Sequence, residues 1–296
     1  MSHKFRFTKE SRERLKNFLL GDKSKSKKKE EPAQEIEQPQ PQAESVPAAP
    51  EAAKPAGKSI AVVTRTDIGK MRKTNQDAVI EYPELRLWGV ADGMGGHNGG
   101  ETASAGARDG LKEFLEGKEP EQCALRTAIG AVNRRLFLQQ KGDEKLSGMG
   151  TTLTVLWLSD KCVYIGHVGD SRAYRLRDGE MKQITDDHSV VAELLRSGML
   201  TPEQAATHPM RNVITRAVGT EDSIEIDLMC EERRAGDVWL VCSDGLYGMV
   251  RDEKIAEILK AHKPKKAADL LIAAALEGGG RDNISLVILL DKEGEQ

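Results

Sequence analysis

Three apolar runs in this sequence end in the same way. LWGVA runs into Asp92-Gly93, YIGHVG into Asp170, and VWLVCS into Asp244-Gly245. Apolar stretches this short, bounded by Gly and Asp, read as buried strands rather than helices. Each would therefore deliver a carboxylate to a strand end.

The flanking pattern extends the assignment. Strands are predicted at Ser59–Arg65, Asp77–Tyr82, Leu85–Ala91, Thr151–Leu158, Lys161–Val168, Ala173–Leu176, Met181–Ile184, Ile224–Cys230, Asp237–Cys242 and Ile284–Leu290. Asp178-Gly179 between two of them is a hairpin signal. Apolar residues at 3–4 spacing predict helices over Glu101–Glu116, Glu121–Gln140, His188–Gly198, Ile255–Lys260 and Ala267–Leu276, with a short one opened by Thr201-Pro202. Helices and strands come in blocks and do not alternate one for one. That pattern predicts an α+β fold with two largely antiparallel sheets and helices on their outer faces.

Residues 1–58 differ in composition. They carry 13 Lys and Arg against 9 Asp and Glu, and six of the eleven Pro. A basic block, KSKSKKK, precedes a Gln/Glu/Pro/Ala-rich stretch, and no aromatic residue occurs between Asp22 and Lys58. Such a segment buries too little apolar surface to offset its ordering entropy, so it is expected to be a disordered tail before a domain at 59–292. It reads as a solvated linker, or as an arm that docks a partner or an anionic surface. A short helix could form after Thr8 on Leu15, Phe18 and Leu19.

Net charge is −3 for 296 residues, which gives no whole-chain argument for nucleic acid. No apolar stretch approaches the ~20 residues of a transmembrane helix, and no charged n-region followed by an apolar h-region stands at the N-terminus, so no secretory signal is expected. The four Cys form no CxxC pair. Cys162, Cys230 and Cys242 lie in or beside apolar runs and are expected to pack as small hydrophobes in a reducing, cytoplasmic setting.

Asp77 and Asp282 join the three strand-end acids as candidates. A single Asp-Gly is usually only a turn, as Asp178-Gly179 is expected to be. Five carboxylates converging would repel one another and require a cation. Oxygen ligands without Cys or spaced His suit Mg²⁺ or Mn²⁺ rather than zinc. Such a cluster can support two-metal hydrolysis at phosphorus.

Eight segments then stand in order: MRKTNQDA, VADGMGGHNGGETAS, SGMGTTLTV, HVGDSRAY, TDDHS, HPMRNVITRAVG, LVCSDGL and GGGRDNISLV. Together, over about Ser59 to Leu290, they resemble the metal-dependent serine/threonine protein phosphatases of type 2C (the PPM family) in their bacterial form. The resemblance implies a four-layer αββα sandwich with a metal centre at one end. It implies that Asp92 bridges two Mn²⁺ or Mg²⁺ ions, that Gly93 binds one through its carbonyl, and that Asp244 and Asp282 complete the other. Asp170 would help hold a third ion. Asp77 would hold metal-bound water, Asn283 would orient the site, and Arg72 would take the substrate phosphate through its planar fork.

The implied reaction is direct attack of a metal-bridging water on phosphoserine or phosphothreonine in proteins. No phosphoenzyme forms in that scheme, and no Cys-x5-Arg loop is present. Catalysis would rest on Arg72, Asp77, Asp92 and Asp244. The partners implied are phosphorylated proteins and a cytosolic Ser/Thr kinase whose action it opposes, with the chain a monomer. Animal members place a His directly after the Asp-Gly; here it is Met94, so the proton donor to the leaving group differs, with His97 or a metal-bound water as candidates. Residues 185–220 match the family's flap, where His188, Arg211 and Asn212 either pack the flap or touch substrate. The alternative function is a pseudophosphatase that binds phosphoproteins without turnover.

Overall fold

The central strands are buried almost throughout, and the core that each residue joins alternates with period two. In β3 (Leu87–Met94), Leu87 and Ala91 join one core while Trp88 and Val90 join another. In β11 (Ile284–Asp291), Leu286 and Ile288 face one way and Val287 and Leu289 the other. An antiparallel sheet buried on both sides explains why these strands read as continuous apolar runs. The protein is described as a computed structural model covering residues 60–95 and 99–292. The predicted tail, its short helix and His97 lie outside the described residues.

One sheet has the order β1-β11-β10-β7-β8, with β1 Ile60–Asp67, β7 Arg172–Arg177, β8 Glu180–Gln183 and β10 Val238–Cys242. The other has the order β2-β3-β5-β6-β9, with β2 Asp77–Tyr82, β5 Leu153–Leu158, β6 Cys162–Val168 and β9 Asp227–Glu232. A two-residue strand, β4 (Gly150–Thr151), pairs with the end of β3. All pairings are antiparallel.

Three hydrophobic cores define the layers. Between the sheets lie Trp88, Leu156 and Ile165 against Trp239, Val241 and Val287. Outside the second sheet, α1 (Gly99–Leu115) and α2 (Gln122–Gly142) bury Ala107, Leu111, Ile129 and Val132 against Val155 and Trp157. Outside the first, α6 (Asp252–Ala261) and α7 (Pro264–Glu277) bury Ile255 and Leu271 against Leu240 and Leu286. Helix, sheet, sheet, helix is the αββα sandwich that the resemblance implies, and it agrees with the segregated pattern of helices and strands. Two smaller helices, α3 (Val190–Arg196) and α4 (Pro202–Ala206), lie in the 185–220 region, and a single turn, α5 (Asp244–Tyr247), follows β10.

Several expectations shift. The strand predicted at Ile224–Cys230 runs instead from Asp227 to Glu232, because its register is fixed by pairing His167 with Asp227 and Cys162 with Glu232. Ile224 packs on the core outside the sheet. β9 is a sheet edge, so Cys230 is exposed and Cys162 half-buried; only Cys242 is a core thiol. The helix predicted from His188 begins at Val190, after Ser189 caps it by accepting from the Ala192 N–H. Asp178 and Gly179 adopt φ of 51° and 79°, the left-handed pair of a two-residue hairpin turn, as expected of a purely structural Asp-Gly.

Candidate active site

The pairing of β2 with β3 sets Asp77 directly opposite Asp92. Asp244 opens α5 where β10 ends, and Asp282 precedes β11, the neighbour of β10. Asp170 follows β6. The same ends of both sheets thus meet, and all five acids converge. Asp92 lies well above the usual carboxylate range, first through burial and then through the charges of Asp77, Asp244, Asp170 and Asp282. Burial, reinforced by Asp170, Asp282 and Asp77, pushes Asp244 up to about 8. Burial lifts Asp77 to about 6 against hydrogen bonds from Ser285 and Ser243. Burial followed by Asp187 does the same for Asp170, to about 6.

Two of these acids carry an orphaned oxygen. Oδ1 of Asp77 and Oδ1 of Asp244 are buried without a hydrogen-bond partner among the described residues. Buried carboxylate oxygens without partners are costly, so the cluster fits a cation and nothing apolar. Among the described residues, three His, Cys, Asp or Glu side chains do not close around one point. Asp282 instead accepts from Arg72 Nη2 at 2.6 Å. The set is an open, shared oxygen face, which suits hard ions that keep part of their water.

Glycine makes this face possible. A Cβ on Gly93 would stand 2.0 Å from the Gly100 carbonyl oxygen and 2.6 Å from that of Gln76. One on Gly245 would stand 2.0 Å from the Asn283 carbonyl oxygen. Only a bare backbone lets these strand ends approach so closely.

Comparison with known proteins agrees with this geometry. The family model described as protein phosphatase 2C matches residues 70–271. This chain belongs to the protein phosphatase 2C family. The serine/threonine protein phosphatase PstP of Mycobacterium tuberculosis is 43% identical over 227 residues, covering 76% of this chain and 43% of PstP. The chain thus spans less than half the length of that relative. The serine/threonine phosphatase stp of Listeria innocua is 39% identical over 236 residues, 76% of this chain and 93% of that protein. A crystal structure of the PstP catalytic domain in complex with two manganese ions superposes with a TM-score of 0.73 at 38% identity, over 79% of this chain and 99% of that one.

Within this phosphatase 2C domain, hydroxyls that the sequence reading overlooked hold the acids in place. Asp92 N–H donates to Thr152 Oγ1 (2.9 Å), and its carbonyl accepts from Thr151 Oγ1 (2.9 Å) and Thr152 N–H (2.8 Å). Ser243 Oγ donates to Asp77 Oδ2 (2.8 Å) and accepts from the Ser285 N–H. Tyr247, whose ring lies under the Arg172 guanidinium, donates to the Asp170 carbonyl (2.9 Å). The available signal was positional: each small hydroxyl residue stands at a strand end or beside one of the acids.

Asn283 bonds to the backbone of the segment before β2. Its Nδ2 donates to the carbonyls of Ile68 (2.9 Å) and Thr74 (3.0 Å), and its Oδ1 accepts from Gln76 N–H (2.8 Å). It therefore clamps both ends of the loop that carries Arg72. His188 is a packing residue. It is 2% exposed, its Nδ1 accepts from Gly169 N–H beside Asp170, and its Nε2 lies 3.1 Å from Asp227. It ties residues 185–220 to the Asp170 turn. Arg211 and Asn212 are exposed.

Proposed function

We propose that this chain hydrolyses phosphoserine and phosphothreonine in proteins, using divalent cations at the carboxylate end, and opposes a cytoplasmic Ser/Thr kinase. The observation that carries this reading is the set of mutually repelling acids, Asp170 buried and the others half-buried, with buried, orphaned oxygens on Asp77 and Asp244, beside the half-exposed guanidinium of Arg72. The phosphatases named above, one solved with two manganese ions, support it. Nothing favours a non-hydrolytic binding module, since the whole acid set is present.

Asp92, the Gly93 carbonyl, Asp244 and Asp282 would hold two Mn²⁺ or Mg²⁺ ions, and Asp170 a third. When bound, the cations supply Lewis-acid activation of water and offset charge on the phosphoryl group. The chain's own groups do the rest. Arg72 would offer its fork to the equatorial phosphate oxygens, exchanging Asp282 for a ligand that takes two parallel hydrogen bonds. Asp77, with one oxygen held by Ser243, would orient the attacking water with the other. Asn283 fixes the loop so that Arg72 returns to one place each turnover. Met94, which follows Gly93, is half-buried and carries no titratable proton, so it is not the acid for the leaving oxygen.

The test is phosphate release from a phosphothreonine peptide by the full chain. We expect release with Mn²⁺ or Mg²⁺, abolition by chelator and recovery on adding metal back. Activity unaffected by chelation, or none under any metal, would refute the proposal.

A further inference from the structure

The mouth of the site is bordered by two loops, residues 68–76 and 278–283. Their backbones are pinned. Lys70 N–H donates to the Gly280 carbonyl at 2.7 Å, Gly69 N–H to Asp67 Oδ1 at 2.8 Å, and Asn283 closes both ends of the first loop. Their outward side chains are not. Lys70, Lys73 and Arg281 are exposed, and among the described residues none of the three forms an ion pair or a side-chain hydrogen bond. Met71 is 72% exposed, and Ile68 beside it is 40% exposed. Lys70, Met71 and Lys73 stand within two residues of Arg72, and Arg281 adjoins Asp282.

The charge is unusual for this molecule. Residues 59–296 carry 31 Lys and Arg against 38 Asp and Glu, yet Ile68–Gln76 holds three cations and no acid. The adjoining Asp282 is already taken by Arg72. A fixed backbone presenting unpaired cations around an exposed, unbranched thioether is preorganised for an extended ligand of opposite charge with an apolar element.

We propose that this rim selects phosphopeptides in which acidic and apolar side chains flank the phosphorylated residue. The inference rests on the phosphatase reading above and specifies its substrate class. Lys70, Lys73 and Arg281 receive flanking Asp or Glu carboxylates, and Met71 covers an apolar neighbour.

The experiment uses the full chain with Mn²⁺ and three phosphothreonine peptides of equal length, with Asp/Leu, Ala or Lys flanks. The readout is the ratio of kcat/KM values within each protein, so loss of folded enzyme cancels. We expect the acidic peptide to be preferred over the neutral one by about fivefold at low salt, since each exposed pair contributes a small fraction of a tenfold step to a few-fold. The preference should shrink toward one as salt shortens the screening length. Lys70→Glu/Lys73→Glu should turn it toward the Lys-flanked peptide. Equal hydrolysis of all three peptides, or an acidic preference kept by the charge-reversed protein, overturns the inference while leaving the phosphatase reading intact. Hydrolysis of none of them overturns that reading, and the inference with it.

Discussion

Replacing Asp244 by Asn should stabilise the metal-free protein while removing its activity. Asp244 is pushed up to about 8 by burial and three neighbouring acids, and its Oδ1 has no partner among the described residues. A carboxyl whose folded-state pKa exceeds its unfolded value, about 4, stabilises the fold fully only below the unfolded value. That contribution is lost as pH rises through the folded value. Near pH 8 the ionised group costs the chelated protein on the order of 5 kcal/mol in isolation. Asp77, Asp92 and Asp170 are pushed up as well and share the strain, so we expect a net gain of about 2–4 kcal/mol from the neutral amide. For a domain of this size that is a rise in Tm of roughly 5–10 °C. Thermal melts followed by circular dichroism, in chelator, at pH 8 and at pH 4.5, read it directly. The gain should be large at pH 8 and nearly absent at pH 4.5, and Mn²⁺ should raise the Tm of the unaltered protein far more than that of the variant. Destabilisation at both pH values would refute the picture of a strained carboxylate cluster.

Arg72→Ala should lower kcat/KM on a phosphothreonine peptide by about 10- to 100-fold, the value of a charge-assisted pair of hydrogen bonds, without changing Tm, since Arg72 is half-exposed. His167 is buried, and burial followed by His188 lowers it to about 3. It must stay neutral in the fold, so its contribution is lost as pH falls below about 6.5; His167→Gln should make the urea-derived stability about 1.4 kcal/mol per pH unit less steep between pH 6 and 4. Gly93→Ala should cost at least ~2 kcal/mol by the Gly100 carbonyl clash, read as a lowered urea midpoint.

Asp92, Asp170 and Asp244 were legible in the sequence because each follows an apolar run, and Asp77 and Asp282 because each stands at or just before the start of one. Once the strands pair, Asp77 falls opposite Asp92 without further information. The layers were legible for the same reason, because continuous apolar runs must be covered on both faces. Contacts between distant segments were not. Nothing in Thr152 or Ser243 announces that its hydroxyl will meet Asp92 or Asp77, since that depends on how strands 60 to 166 residues apart are brought together. β9 slipped because Ile224 and Ile226 look like strand residues, whereas cross-strand register placed the ladder three residues later, at Asp227. Cys230 was misread with it, because an edge strand leaves exposed what a central strand would bury.

The central claim is that this carboxylate end is built for divalent cations, with Asp92 at its middle. Titration calorimetry of the full chain with Mn²⁺ near pH 7.5 tests it most directly. The account predicts saturable binding of at least two ions per chain, reduced to weak or no binding in Asp92→Asn. Absence of binding by the unaltered protein, or equal binding by the variant, would contradict it.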